Sequence, residues 1–281
     1  MIIDGKKIAD SLLKELKREI ANMNGRPPCL KIILVGENPA SEVYVTRKLA
    51  AAEAIGIDAK ALRFDAHTSE HELFTVIDQL NEDSLVDGII VQMPLPAKIN
   101  PDAILARVSP QKDVDGFTPT NLGKLLAGLE DGFVSATPLG VQTLLLKSGV
   151  DIAGKQVVIV GRSRIVGRPL FALLSRKGKG GDATVTLAHS GTKDLISVTK
   201  TADILIVAAG SPEMITKEHI KPGAVVIDVG INRHGKRLVG DVKFNEVEKV
   251  ASLITPVPGG VGPMTIASLL KNTTQARKMY G

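Results

Sequence analysis

Val157-Val158-Ile159-Val160-Gly161-Arg162-Ser163-Arg164-Ile165-Val166-Gly167-Arg168-Pro169 reads as a strand that turns through glycine into a helix. Glycine lets backbone approach a phosphate, and the helix that follows offers free N–H groups and the positive end of its dipole. The place therefore suits a dinucleotide pyrophosphate. The match to the usual G-x-G-x-x-G is imperfect, because Ser163 stands at the second glycine and Gly167 arrives one residue late. Taken alone, the stretch fits a nucleotide site or a plain tight turn.

The pattern repeats in both directions. Downstream, strands near Thr184 to Ala188, Ile204 to Ala208 and Ala224 to Val229 alternate with helical segments. Upstream, a helix from about Gly5 to Asn24 carries Ile8, Leu12, Leu16 and Ile20 on one face and stops at Gly25. A strand Leu30 to Val35 follows. Asn38 as cap and Pro39 at the first helical position then open a helix that ends near Gly56. A strand near Ile57 to Phe64, a capping box Ser69-Glu70-His71-Glu72 and a strand Gly88 to Met93 complete the first half. Alternating strands and helices define an α/β fold with parallel sheets. The spacing predicts a first domain over 1–137 and a Rossmann-like second domain over 138–261. Thr255 to Pro263 is expected to be neither helix nor strand, and a last helix from Met264 to Met279 is expected to return to the first domain.

Composition narrows the function. The 281 residues suffice for two domains at roughly 100–200 residues each. The apolar runs are strand-sized, short of the ~18 residues of a membrane span, and no secretory signal is visible at the start, so a cytoplasmic protein is expected. Thirty-five Lys and Arg against 30 Asp and Glu give a net charge of +5 without a run of like charges, which suits anionic small molecules better than nucleic acid. With no Trp, 2 Tyr and 6 Phe, a stacking surface for single strands is largely missing. The single cysteine, Cys29, cannot form an internal disulfide and reads as core.

Candidate chemistry falls in both halves. The second strand of the nucleotide half ends Ala188-His189-Ser190-Gly191-Thr192-Lys193, without the carboxylate that holds the ribose in NAD sites. Arg162, Ser190 and Lys193 can instead hold a 2′-phosphate, so NADP is the expected cofactor; the alternative for His189 and Ser190 is a helix cap. In the first half, Tyr44 and Lys48 share a helix face, although a helical lysine is more often solvated. Gln92 ends a strand where open α/β sheets bind ligands, and Asp113 and Asp115 follow in a loop that is either functional or a polar turn. His67 and His71 lack a third ligand, so no metal is expected.

Six ordered motifs then set the frame: Val35-Gly36-Glu37-Asn38-Pro39-Ala40-Ser41 with Tyr44 and Lys48; Val91-Gln92-Met93-Pro94-Leu95-Pro96; Lys112-Asp113-Val114-Asp115-Gly116-Phe117; the glycine turn at 161–167; Val226-Ile227-Asp228-Val229-Gly230-Ile231-Asn232; and Thr255 to Thr265. Over nearly its full length the chain resembles the bifunctional methylenetetrahydrofolate dehydrogenase/methenyltetrahydrofolate cyclohydrolase family. The resemblance implies two α/β domains flanking a cleft, NADP as cofactor, tetrahydrofolate derivatives as substrates and a homodimer. It implies Lys48 as the catalytic lysine, Tyr44 as the ring that positions the pterin, Gln92 as the lysine's partner and Asp115 as the pterin-binding carboxylate. Gly161, Arg162, Ser163, Ser190 and Ile231 correspond to nucleotide contacts, and Pro258 and Gly259 to substrate contacts. The chain departs from the family at Ser135-Ala136-Thr137-Pro138, where members often have Pro-Cys-Thr-Pro, and at Ala188, which replaces a frequent cysteine. Rival readings are a hydroxy- or amino-acid dehydrogenase and a nucleotide-sensing module without turnover.

Overall fold

A computed structural model describes residues 1–235 and 237–281. The chain forms two compact units. The first comprises Ser11–Lys124, Leu129–Ala136 and Ile266–Gly281; the second comprises Met1–Asp10, Leu125–Gly128 and Thr137–Thr265. The opening ten residues thus group with the nucleotide half, whereas the sequence places them in the first domain. The reason is backbone pairing: Ile3 N–H donates to Ile254 O, and Ile254 N–H to Met1 O.

The elements before residue 127 are α1 (Gly5–Ala21), β1 (Cys29–Val35), α2 (Pro39–Ile55), β2 (Asp58–Phe64), α3 (Glu70–Glu82), β3 (Gly88–Val91), α4 (Pro101–Arg107) and α5 (Pro119–Leu126). Then come α6 (Ala136–Lys147), β4 (Gln156–Val160), α7 (Gly167–Ser175), β5 (Thr184–Ala188), α8 (Leu195–Thr199), β6 (Ile204–Val207), β7 (Val225–Asp228), β8 (Asn232–His234), β9 (Arg237–Val239), α9 (Phe244–Val247), β10 (Leu253–Ile254) and α10 (Val261–Tyr280).

The sheet of the first unit has the order β2-β1-β3 and that of the second β10-β7-β6-β4-β5, all parallel. Strand position follows from sequence. β3, β6 and β7 are apolar throughout, apart from the terminal Asp228, and buried at every residue, as strands covered on both faces must be. β2 (DAKALRF) and β5 (TVTLA) alternate with polar residues and lie at sheet edges. Separate cores support the two sheets: Ile33, Val35, Leu73, Ile77, Ile89 and Ile104 in one, and Val158, Leu205, Val207, Val226 and Ile254 in the other. Each such side chain contributes about 1.5–3 kcal/mol through burial. Cys29 belongs to the first core.

Both sheets have a switch point, where successive connections leave a central strand in opposite directions. In the first unit it lies between β1 and β3, and in the second between β4 and β6. Among the described residues no helix is long and apolar enough to cross a membrane. One expectation is corrected. Helix α10 starts at Val261, inside the stretch expected to be irregular. Pro263 falls in its first turn, where a missing N–H costs nothing and a fixed φ is favourable. Asn272 of α10 donates to Val114 O and Val134 O, which ties the end of the chain to the first unit.

Candidate active site

Lys48 stands on the buried stripe of α2 and not on its solvent face. Asn38 caps that helix through Ala40 N–H and Ser41 N–H, and its buried residues are Ser41, Val45, Lys48, Ala52 and Ile55, at helical spacing. A lysine in such a row is only 7% exposed. The reading of Lys48 as a solvated surface residue is thereby excluded. Its Nζ donates to Gln92 Oε1 at 3.1 Å. Gln92 follows β3 directly, at the switch point. Its amide nitrogen donates to Met93 O at 2.8 Å, which leaves the amide oxygen turned towards the lysine.

The two aspartates of the 112–116 loop have separate roles. Asp113 accepts from Phe117 N–H, Thr118 N–H and Asn121 Nδ2 at 2.8–3.0 Å, so its carboxylate builds the loop. Asp115 is buried, and among the described residues no group donates to its carboxylate. Burial pushes its pKa up, and the positive charge of Lys48 pulls it partly back. A mostly buried carboxylate beside one cation, with no protein donor, is open to the donors of a ligand. The backbone around it is braced. Gly116 has φ +69° and its Cα lies where a Cβ would come within 2.6 Å of Ser135 N, so only glycine fits. Ser135, one of the departures from the family pattern, donates its hydroxyl to Gly116 O at 2.8 Å. Half-buried Tyr44 lies one turn before Lys48 on α2, and burial raises its phenol pKa. The structure thus brings Lys48, Gln92 and Asp115 together around the β1/β3 switch point.

In the second unit the glycine turn sits at the β4/β6 switch point. A Cβ on Gly161 would lie 2.2 Å from Ala208 O, and one on Gly167 2.0 Å from Gly161 O. Only glycine lets these backbone segments pack so closely where β4 turns into α7, the place a pyrophosphate would approach. Ser163 explains the imperfect fingerprint: its Oγ accepts from Val166 N–H and Gly167 N–H, holding the turn that leads into α7 and leaving its own proton to donate outward. Gly161 N–H donates to Ala188 O, which brings the end of β5 alongside. There His189 holds a turn, its N–H donating to Thr192 Oγ1 and its Nδ1 accepting from Gly191 N–H, and Ser190 is exposed at the bend. The cap of α8 is Asp194, so Ser190 is not a helix cap. Arg162 and Ile231 are exposed on the same carboxyl end of the sheet, and no carboxylate follows β5 before Asp194. The residues present fit a dinucleotide. Pro258 and Gly259 lie in the 255–260 turn of this unit, which Lys6 N–H holds through Gly259 O at 3.0 Å.

Two family models match the chain. Residues 3–115 fit the catalytic domain of tetrahydrofolate dehydrogenase/cyclohydrolase, and residues 135–280 fit its NAD(P)-binding domain. The chain belongs to the tetrahydrofolate dehydrogenase/cyclohydrolase family. It is 49% identical to the bifunctional protein FolD of Protochlamydia amoebophila, with 97% of this chain and 96% of that protein covered. The crystal structure of FolD from Campylobacter jejuni superimposes with a TM-score of 0.95 at 47% identity, covering 99% of this chain and 98% of the other. That of the Trypanosoma brucei dehydrogenase-cyclohydrolase, complexed with NADP and an inhibitor, gives 0.93 at 40% identity over 99% and 97%. The family identified from the six motifs, the two-domain α/β class and the bifunctional dehydrogenase/cyclohydrolase activity are all confirmed.

Motif reading passed over one group within this family frame. Asp228 and Asp241 are 3% and 0% exposed and lie against each other at the carboxyl end of β7. Asp228 appears in a motif, but the reading assigned it no role, and Asp241 lies outside every motif. The signal was present as two acids in otherwise apolar surroundings, Val226-Ile227-Asp228-Val229 and Val239-Gly240-Asp241-Val242.

Proposed function

We propose that Lys48, Gln92, Asp115 and Tyr44 form the folate site of a cytosolic, homodimeric enzyme that oxidises 5,10-methylenetetrahydrofolate with NADP+ and hydrolyses the methenyl product to 10-formyltetrahydrofolate. The observation that carries this reading is the part-buried Lys48–Gln92 hydrogen bond beside a carboxylate with no protein donor among the described residues. Asp115 accepts from the ring N–H and amino groups of the pterin. Tyr44 lies under the ring. Folate chemistry is assigned to the unit of Ser11–Lys124, Leu129–Ala136 and Ile266–Gly281, and the nucleotide to the unit that contains Thr137–Thr265.

NADP+, when bound, accepts the hydride of the one-carbon bridge. Gly161, Arg162, Ser163, Ser190 and Ile231 hold the dinucleotide, with Arg162 and Ser190 on the 2′-phosphate. The missing acid after β5 favours NADP over NAD. Oxidation needs orientation more than acid or base help. Hydration does need proton transfer. Water adds to the methenyl carbon, and Lys48 Nζ takes the proton released. The same amine returns it to the ring nitrogen as the carbon–nitrogen bond opens. Gln92 Oε1 holds the amine by accepting its hydrogen bond, a role that persists whether Lys48 is charged or neutral.

The test is an ultraviolet assay of purified protein with 5,10-methylenetetrahydrofolate and NADP+ or NAD+, following reduced cofactor and methenyl product separately. Reduced NADP without methenyl build-up is expected. Methenyl accumulation removes the role given to Lys48, and equal turnover with NAD+ removes the nucleotide preference. Sedimentation equilibrium checks the dimer.

A further inference from the structure

Three loops leave the carboxyl end of the second unit's sheet around one buried carboxylate. Asp241, fully buried, accepts from Ala209 N–H at 2.7 Å and Gly210 N–H at 2.9 Å through one oxygen. Its other oxygen accepts from Asn232 Nδ2 at 2.8 Å. The first pair belongs to the loop after β6, whose Ala208 O stands against Gly161. The second partner, Asn232, follows Ile231 and opens β8 just after the loop that leaves β7. Below, Asp228 accepts from Gly230 N–H, Asp241 N–H and Val242 N–H at 2.9–3.0 Å, and its own N–H donates to Thr255 Oγ1. Packing leaves no slack: a Cβ on Gly230 would come within 2.3 Å of the Asp241 carboxyl carbon, and one on Gly240 within 1.8 Å of Asp228 Oδ2.

A fold needs only hydrophobic filling at this depth. Two acids held there by five backbone N–H groups and one amide are expensive to bury, and what they fix is the position of loops that open on the switch point. We infer that Asp241 is a positioning residue for dinucleotide binding, clamping the 208–210 and 230–232 loops so that the glycine turn at 161 and Ile231 are held in the geometry that receives the nucleotide. This rests on the assignment of that end of the sheet to NADP.

Asp241→Ala, Asp241→Asn and Asn232→Ala test it, with NADP affinity measured by calorimetry beside folate KM and kcat. Asp241→Ala frees two backbone N–H groups and is expected to weaken NADP binding at least tenfold, with folate KM within twofold. In Asp241→Asn the amide oxygen can serve Ala209 and Gly210 while Asn232 turns its own oxygen to the new amine, so binding should recover to within about threefold. Asn232→Ala leaves the carboxylate and its two backbone bonds intact, and decides the matter even if Asp241→Ala does not fold: a loss of threefold or more is expected. Parental NADP affinity in Asn232→Ala, or equal loss of NADP and folate affinity in the Asp241 variants, overturns the inference. A parent protein that binds no NADP would instead overturn the nucleotide assignment itself.

Discussion

Asp115→Asn should make the protein more stable and a poorer folate enzyme at once. The carboxylate is buried, receives no hydrogen bond from the described residues, and is charged at a cost that Lys48 only partly offsets. Its oxygens are not sealed from solvent, since among the described residues only Ser268 Oγ is fully buried without a partner, so the penalty lies at the low end of the about 1–3 kcal/mol of an unsatisfied group and the neutral amide should recover about 1 kcal/mol. At roughly 2–4 °C per kcal/mol this raises Tm by about 2–4 °C. The sign with pH is fixed. A carboxyl whose folded pKa lies above its unfolded value destabilises the fold increasingly as pH rises past about 4, so the advantage of the amide should vanish in acid and grow towards neutrality. The ligand loses a charge-assisted hydrogen bond of about 1.5–3 kcal/mol, or roughly 10- to 100-fold in folate affinity, while NADP affinity stays at the parental value. Calorimetric melting across pH, with separate titrations of folate and NADP, reads both effects. A variant that melts lower than the parent and loses both ligands equally would refute the reasoning, because Asp115 would then be a structural group.

Other outcomes follow from the same geometry. Lys48→Met removes the proton-transfer amine and should abolish cyclohydrolase turnover, so that methenyl product accumulates; unchanged hydrolysis would eliminate the lysine from the mechanism. Gly161→Ala places a methyl 2.2 Å from Ala208 O at a φ of +126°, and nucleotide titration should show at least a tenfold loss with folate binding kept. Burial beside Asp241 pushes Asp228 up to about 7. Its folded pKa lies above its unfolded value, so stability should fall as pH rises from about 4 to 7, by up to about 4 kcal/mol. Urea unfolding at several pH values checks this, and a slope that Asp228→Asn leaves unchanged would remove Asp228 as its source.

The sequence by itself determined the fold class, because alternation of apolar strands with capped helices admits few arrangements other than parallel sheets. Asn38 with Pro39, and Ser69 with Glu72, cap α2 and α3 as their spacing predicts. It also determined the family, through six motifs in order. The buried place of Lys48 does not follow from position, which favours a solvated lysine, and it was the packing of Ser41, Val45, Ala52 and Ile55 on the same stripe that decided it. Tertiary structure decided what local pattern leaves open. Asp113 and Asp115 are two residues apart in one polar loop, and only the fold gives one of them to backbone N–H groups and leaves the other without a donor. Ser163 looks like a flaw in a glycine fingerprint, and only the fold shows its hydroxyl holding the turn into α7. Asp228 and Asp241 are thirteen residues apart, and no periodicity relates them. They meet because β7 and the segment after β9 end at the same edge of the sheet, and long-range contacts of that kind are set by how elements pack, which a local pattern does not encode.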